Sequence, residues 1–418
     1  MTVQLIDGRA VRPPLWRDRS FALFWAGQTV GELGTRMSGV AVPLLAAGPM
    51  RASVFQVSLL TVLAWLPYLV FALPAGLLAD RVDLRRLMIG CDLGRAALLS
   101  SLPAVALVGR LTLAFLYVVV GLCGVLTVLF TVAYKSIVPA LAPADRLVEA
   151  NARLTVTADT AALVGPTVGG VLAGLVGAAR TFLGTALAFL LSAATLAAVR
   201  PVLRDRGLTD RVPVRVALTE GLRFVGQRPI LRSILACTAT SNFFAIGTTA
   251  LEVSFLVREL RAGPATVGLV FSLGAAGGLV TGAFAAPLSR RIGTARVIWV
   301  AMAVPGPLYL LVPLARPGWG LALYVVGLAA FSANAVLFNV SILSYRQRIT
   351  PPELLGRVNA AFLWVCFGAV PLGALTGGLL GSHWGLRPAL VVCALGTWSA
   401  ALFVVLSPLR SLRDLPPG

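Results

Sequence analysis

The sequence predicts an all-α integral membrane protein of twelve transmembrane helices, arranged as two pseudo-symmetric six-helix bundles. Three observations predict it. Of 418 residues, 58% are hydrophobic and only 12% charged, and mean hydropathy is +0.89, whereas a soluble domain needs about a quarter of its residues charged to face water. Apolar runs long enough to span a bilayer, about 20 residues each, recur along the whole chain. The second half of the chain also repeats the pattern of the first.

Taken in order, the runs place spans at 21–46, 54–79, 87–108, 111–138, 155–177 and 181–199, and then at 230–255, 267–288, 297–314, 321–343, 360–381 and 388–406. Each contains small residues or proline, which let helices approach closely where no hydrophobic driving force separates protein from lipid. The intervening polar segments divide the chain into an N-terminal tail, 1–20, a first bundle, 21–199, a linker, 200–229, a second bundle, 230–406, and a C-terminal tail, 407–418. The tail 1–20 has no apolar core of a cleavable signal, so the first span is expected to direct insertion.

The formal charge of +19 is explained by where the basic residues lie. Alternate loops sort them 26 to 7, with both tails and the linker on the richer side. Basic loops stay in the cytoplasm, so both termini are expected there. Nucleic-acid binding is not expected, because no soluble basic face interleaved with aromatics exists. Thirty-four of the 35 basic residues are arginine, Lys135 being the exception, a usage that fits a GC-rich bacterial genome and hence a bacterial cytoplasmic membrane. Cys91, Cys123, Cys237, Cys366 and Cys393 stand singly in apolar runs and read as packing residues.

A shift of 208 positions aligns Pro143, Asp145, Leu147 and Asn151 with Pro351, Glu353, Leu355 and Asn359. Without a gap it also aligns Gly165, Gly169, Gly170 and Gly177 with Gly373, Gly377, Gly378 and Gly385. Arg81 falls against Arg291 at a shift of 210, and Gly34 against Gly247 at 213. This is an internal duplication. Two related bundles are what an alternating-access carrier requires, since they can open to either side around a shared site.

Residues 76–86 read G-L-L-A-D-R-V-D-L-R-R, an acid at a helix end followed by arginines on the next helix, a pairing able to form in one conformation and break in another. The bland alternative is that Arg81, Arg85 and Arg86 only anchor the positive side. Asp92 and Arg95 follow at a spacing that puts both on one helix face near the cytoplasmic edge. In the fifth span Gly165, Pro166, Gly169 and Gly170 form G-P-T-V-G-G, where proline removes a backbone donor and glycines permit close packing.

These strings resemble the Major Facilitator Superfamily. Gly76, Leu78, Ala79, Asp80, Arg81 and Arg85 match its loop signature G-x-L-A-D-R-x-G-R-[RK], while Asp83 and Leu84 depart from it. The second half keeps only Arg290, Arg291, Gly293 and Arg296, without the acid. G-P-T-V-G-G is similar to the superfamily's antiporter signature, and the run through D-L-G-R-A resembles its drug-exporter branch, which includes macrolide and enterobactin exporters. The resemblance implies a proton-coupled exporter of hydrophobic drugs or antibiotics. A siderophore or other natural product is the alternative cargo, and a non-transporting sensor or scaffold the alternative class.

Four carboxylates fall inside spans: Glu32, Asp92, Asp159 and Glu252. Each must face a cavity, find a partner or bind a proton. Glu32 lies midway along the first span with Arg36 one turn on, which makes the pair a candidate proton-coupling site; a permanent ion pair that fixes packing is the alternative. Asp159 and Glu252 lie nearer span ends and read as solvated or packing groups. Gln28, Asn242, Phe243, Phe244 and Asn334 are candidate cavity residues for a bulky ligand.

Enzyme chemistry is not expected. The only histidine is His383, no metal motif occurs, and the glycines at 274–278 lack the lysine and Ser/Thr of a nucleotide-binding loop. The expected partners are a small-molecule substrate, protons and the bilayer; no cofactor is implied, and a monomer is expected.

Overall fold

The computed structural model describes residues 5–6, 9–10, 15–199 and 214–414, with a few side chains, Asp80 among them, outside that description. In the first half, helices α1 (Arg19–Ala47), α2 (Val54–Arg81), α3 (Leu84–Leu107), α4 (Leu113–Leu141), α5 (Leu147–Val176) and α6 (Ala178–Ala198) follow one another. Short α7 (Val214–Gly226) precedes α8 (Pro229–Arg258) and α9 (Pro264–Ile292). The ninth span is broken into α10 (Thr294–Ala303), a 3-10 turn and α11 (Leu311–Leu314); α12 (Leu321–Ile349) and α13 (Pro352–His383) follow, and the last span comprises α14 (Leu386–Ser399) and α15 (Ala401–Val405). A two-residue antiparallel pairing joins Leu5–Ile6 to Arg9–Ala10 in the N-terminal tail.

Eleven segments among the described residues are long and apolar enough to cross a membrane. The twelfth, α1, has 29 residues, but Gln28, Glu32 and Arg36 lower its hydropathy. Most helices outrun the expected spans. A helix of 30 residues, such as α5, is about 45 Å long at 1.5 Å per residue, against a hydrocarbon core of about 30 Å. Hydropathy marks only the part in lipid, so α5 begins eight residues before the expected start, on a polar turn where Glu149 pairs with Arg146 at 2.7 Å and Arg153 at 3.2 Å.

Breaks and caps have local causes. Pro305 and Pro307 flank Gly306 where the ninth span unwinds into its 3-10 turn, because proline gives the helix no N–H there. Asp83, which departs from the loop signature, caps α3 by accepting from the Arg86 N–H at 3.1 Å. The linker contains helix α7, which lies against α13 and α8 and is tied to α13 by the Arg357–Glu220 ion pair. Residues 200–213 of the expected linker lie outside the described residues.

Within the first bundle α1 packs on α5 and α6, α3 on α4 and α6, and α2 on α4; within the second, α8 packs on α13 and α14, and α9 on α12. The bundles meet along two seams, α5 with α9 and α2 with α13. Gly177 and Gly385, 208 positions apart, both hold positive φ, +90° and +88°, at the turns that launch α6 and α14. Only glycine adopts that region without strain, so the duplication extends to backbone conformation.

Candidate functional site: the cavity between the bundles

The two seams close at one end. There the Thr167 N–H and hydroxyl meet the Ser272 hydroxyl at 3.1 and 2.8 Å across the α5–α9 seam, and Arg258 donates to the Ala52 carbonyl from the opposite half. Gly381 of α13 lies against Val54 at the start of α2. At the other end the same helix faces come apart. The α5 face that carries Gly170 and Pro166 continues at helical spacing through Asp159, Val156 and Val148, and there Val148 is 83% exposed. Gly76 near the end of α2 has, among the described residues, no neighbouring atom within 4 Å of a Cβ position. The molecule is therefore a wedge, sealed on the side of the α1–α2 turn and open on the side of the α2–α3 turn.

The glycine string of α5 makes the seal. Gly165 and Gly169 sit against Arg36 and Met37 of α1, a Cβ on Gly169 lying 3.0 Å from the Met37 Cα, while Gly170 turns to Gly268 of α9. Pro166 is buried, and its carbonyl group lies against Gly268. The duplicated string repeats this in the other half. Gly373 and Gly377 sit against Phe243, Ile246 and Gly247 of α8, and Gly378 turns to Ser58 of α2. In each half, two glycines face that half's own first helix and the third faces the opposite half's second helix.

Glu32 and Arg36 form an ion pair on α1 at 2.8 Å, with Arg36 45% and Glu32 33% exposed. Their face points away from the α6 contacts made by Gly27, Gly31 and Gly34, while the Arg36 stem touches Gly165 of α5. Gly39, one turn beyond, has open space beside it, and Tyr134 of α4 lies within electrostatic reach of Glu32. The pair thus sits on the cavity side of α1, part-way to the seal. The Gln28 amide nitrogen, one turn back, is buried without a hydrogen-bond partner. Asp159, expected near a span end, lies three turns inside α5 and is exposed on the diverging face.

The other expected residues divide by role. Arg85 donates through Nε to the Leu196 carbonyl at 2.8 Å and also to the Ala197 carbonyl, closing the C-terminus of α6 within its own half. Arg81 is exposed, and the Asp80 side chain lies outside the described residues. Asp92 and Arg95 form an ion pair, 0% and 5% exposed, about two turns into α3 and turned to the interior of the first bundle. Arg95 lies between the rings of Phe130 and Phe189 at 4.5 and 4.2 Å.

Asn242 and Asn334 line one polar cavity of about 50 Å³ with Thr238, Ser241 and Asn339. Phe243 and Phe244 meet edge to face at 5.0 Å, and Phe244 lies on Gly396 of α14, which makes it a packing ring of the second bundle. Sequence reading missed an aromatic cluster across the α2–α13 seam. Phe367 stacks on Tyr68 at 5.3 Å and on Trp65 at 6.1 Å. Ser58, Val62 and Trp65 lie on one face at helical spacing, as do Gly378, Ala374 and Phe367, but no motif marks them. Glu252 is also buried, at 4% exposure.

Among the described residues no group of acidic, His and Cys side chains could hold a metal. The chain matches the family described as transmembrane secretion effector over residues 12–415. It is 26% identical to the multidrug efflux pump Tap of Mycolicibacterium fortuitum, over 94% of this chain and 96% of that one. With macrolide efflux protein A of Streptococcus pyogenes it shares 24% identity, covering 89% and 93%. Its fold matches a bacterial homologue of the lysosomal transporter Spinster, inward-facing and occupied, with a TM-score of 0.74 and 16% identity over 94% and 97% of the two chains. The chain belongs to the transmembrane secretion effector family of the Major Facilitator Superfamily, a family of membrane transporters and not of enzymes.

Proposed function

We propose that this transporter exports hydrophobic drugs or antibiotics from the bacterial cytoplasm in exchange for protons, by alternating access. The observation that carries this reading is the Glu32–Arg36 pair on the cavity face of α1. A carboxylate within a span is expensive to keep, and one that faces an aqueous cavity is placed to take up and give back a proton. Protonation of Glu32 would release Arg36, which rests on Gly165 of the glycine string, and so link the proton to the seam that must open. The efflux relatives support the cargo class.

In this reading both termini and the open end face the cytoplasm, in accord with the 26-to-7 sorting of basic residues, and the monomer is the working unit. The two bundles, 21–199 and 230–406, rock about the sealed end. The loop with Gly76, Asp80, Arg81 and Arg85 serves as the conformational switch, while the Asp92–Arg95 pair holds α3 rigid behind it. The test is accumulation of ethidium and of erythromycin in cells with and without the protein. Export predicts lower accumulation in expressing cells, abolished by a protonophore; equal accumulation in both would contradict it.

A further inference from the structure

One face of α8 carries Thr238, Ser241, Thr248 and Glu252 at helical spacing, and the C-cap residue Glu259 continues it. It faces the interior of the second bundle, away from the cavity between the halves. Near one end it lines the 50 Å³ polar cavity, where the Asn334 side-chain oxygen has no partner. At the other end Glu259 pairs with Arg387 at 2.7 Å. Glu252 lies between.

Glu252 is 4% exposed, and among the described residues no arginine, lysine or histidine stands within ion-pair distance of it. Arg387 of α14, at the Glu259 end of the stripe, is engaged by Glu259 and by the Pro313 carbonyl at 2.8 Å. The ionisable groups that face Glu252 are the hydroxyls of Tyr309, after α10, and Tyr324 of α12, with the Cys393 thiol of α14 beside Tyr309. Among the described residues no further titratable or charged group faces it from α1, α2, α9, α13 or α15. The Tyr324 hydroxyl is wholly buried and has no hydrogen-bond partner. An ionised carboxylate in such a place is costly, and a neutral acid that can share its proton with a phenol oxygen is tolerated.

A polar cavity adjoins these rings. Tyr309 stacks on Phe331 at 4.7 Å, and Phe331 lines the polar cavity. That cavity is roomy and polar enough for water by the usual measure of a few tens of Å³ with several polar partners. Thr248, between the cavity and Glu252 on the stripe, donates through its hydroxyl to the Phe244 carbonyl at 3.3 Å.

We infer that Glu252 is a proton-binding site within the second bundle, separate from the Glu32 site. To load it, the carboxylate takes a proton from a water molecule, which leaves as hydroxide. The reverse transfer unloads it. A contribution of this proton to export rests on the exporter reading; its binding does not.

The test uses infrared titration of the full-length protein in liposomes without substrate, from about pH 5 to about pH 10. A protonated-carboxyl band is expected near neutral pH that fades as pH rises, is absent in Glu252→Gln, shifts in Glu252→Asp and persists in Glu32→Gln. A band unchanged by Glu252→Gln, or one that never fades across the range, would overturn the inference. A titrating band in a protein that exports neither ethidium nor erythromycin would sustain the inference while the exporter reading fails.

Discussion

Gly170 of α5 and Gly268 of α9 face each other across the two halves so closely that a Cβ on Gly170 would lie 2.9 Å from the Gly268 Cα, and one on Gly268 3.1 Å from the Gly170 Cα. Backbones at this separation leave no room for a side chain. In lipid such contacts are held by van der Waals packing rather than by exclusion of water.

Gly268→Leu is therefore expected to hold the seal open. A leucine there meets Pro166 and Gly170 at once, and the closed form should lose population by about tenfold or more. A cysteine placed at Ser272 would report it, reacting with an impermeant thiol reagent from outside in the Gly268→Leu background and remaining protected with Gly268 intact. Equal protection in both proteins would show that the seal tolerates the side chain.

Arg85→Ala is expected to destabilise the first bundle by about 2 kcal/mol, the scale of a charged hydrogen bond lost at a helix end. Arg85 holds the last carbonyls of α6 at Leu196 and Ala197. Thermal melting in detergent should fall by several degrees, with Arg85→Lys intermediate because lysine lacks the forked donors. No change in melting would mean that these carbonyls are satisfied by water instead.

The Asp92–Arg95 pair should behave as a unit. Removing one partner leaves a buried charge alone, at a cost of about 3–5 kcal/mol. Asp92→Asn and Arg95→Met are each expected to lower stability sharply, and the double variant to recover much of the loss. Additive losses in a double-mutant cycle by denaturant unfolding would show that the two residues act separately.

Much of the architecture is written in the sequence, and the exceptions have physical reasons. The crossings are legible because lipid imposes an apolar length, yet their ends are not, since a helix such as α5 continues into water on polar turns held by Arg146, Glu149 and Arg153. The glycine strings were readable as contacts, and the 208-residue repeat correctly anticipated that both occur. Which helix each glycine touches depends on rotation about the axis, which sequence does not carry. The Arg85 partners are backbone carbonyls, which have no signature at all. Trp65, Tyr68 and Phe367 meet only because α2 and α13 cross at that level. Glu252 was assigned to a span end and to packing; its distance from any cation depends on the folding of α12 and the broken ninth span around it.

The proposed proton coupling through Glu32 predicts gradient-driven transport that depends on this carboxylate. In proteoliposomes loaded with ethidium and subjected to an imposed pH gradient, the protein is expected to move dye against its gradient. Glu32→Gln is expected to retain dye exchange at equilibrium and lose the gradient-driven movement. Gradient-driven movement by Glu32→Gln equal to that of the unaltered protein would contradict the account.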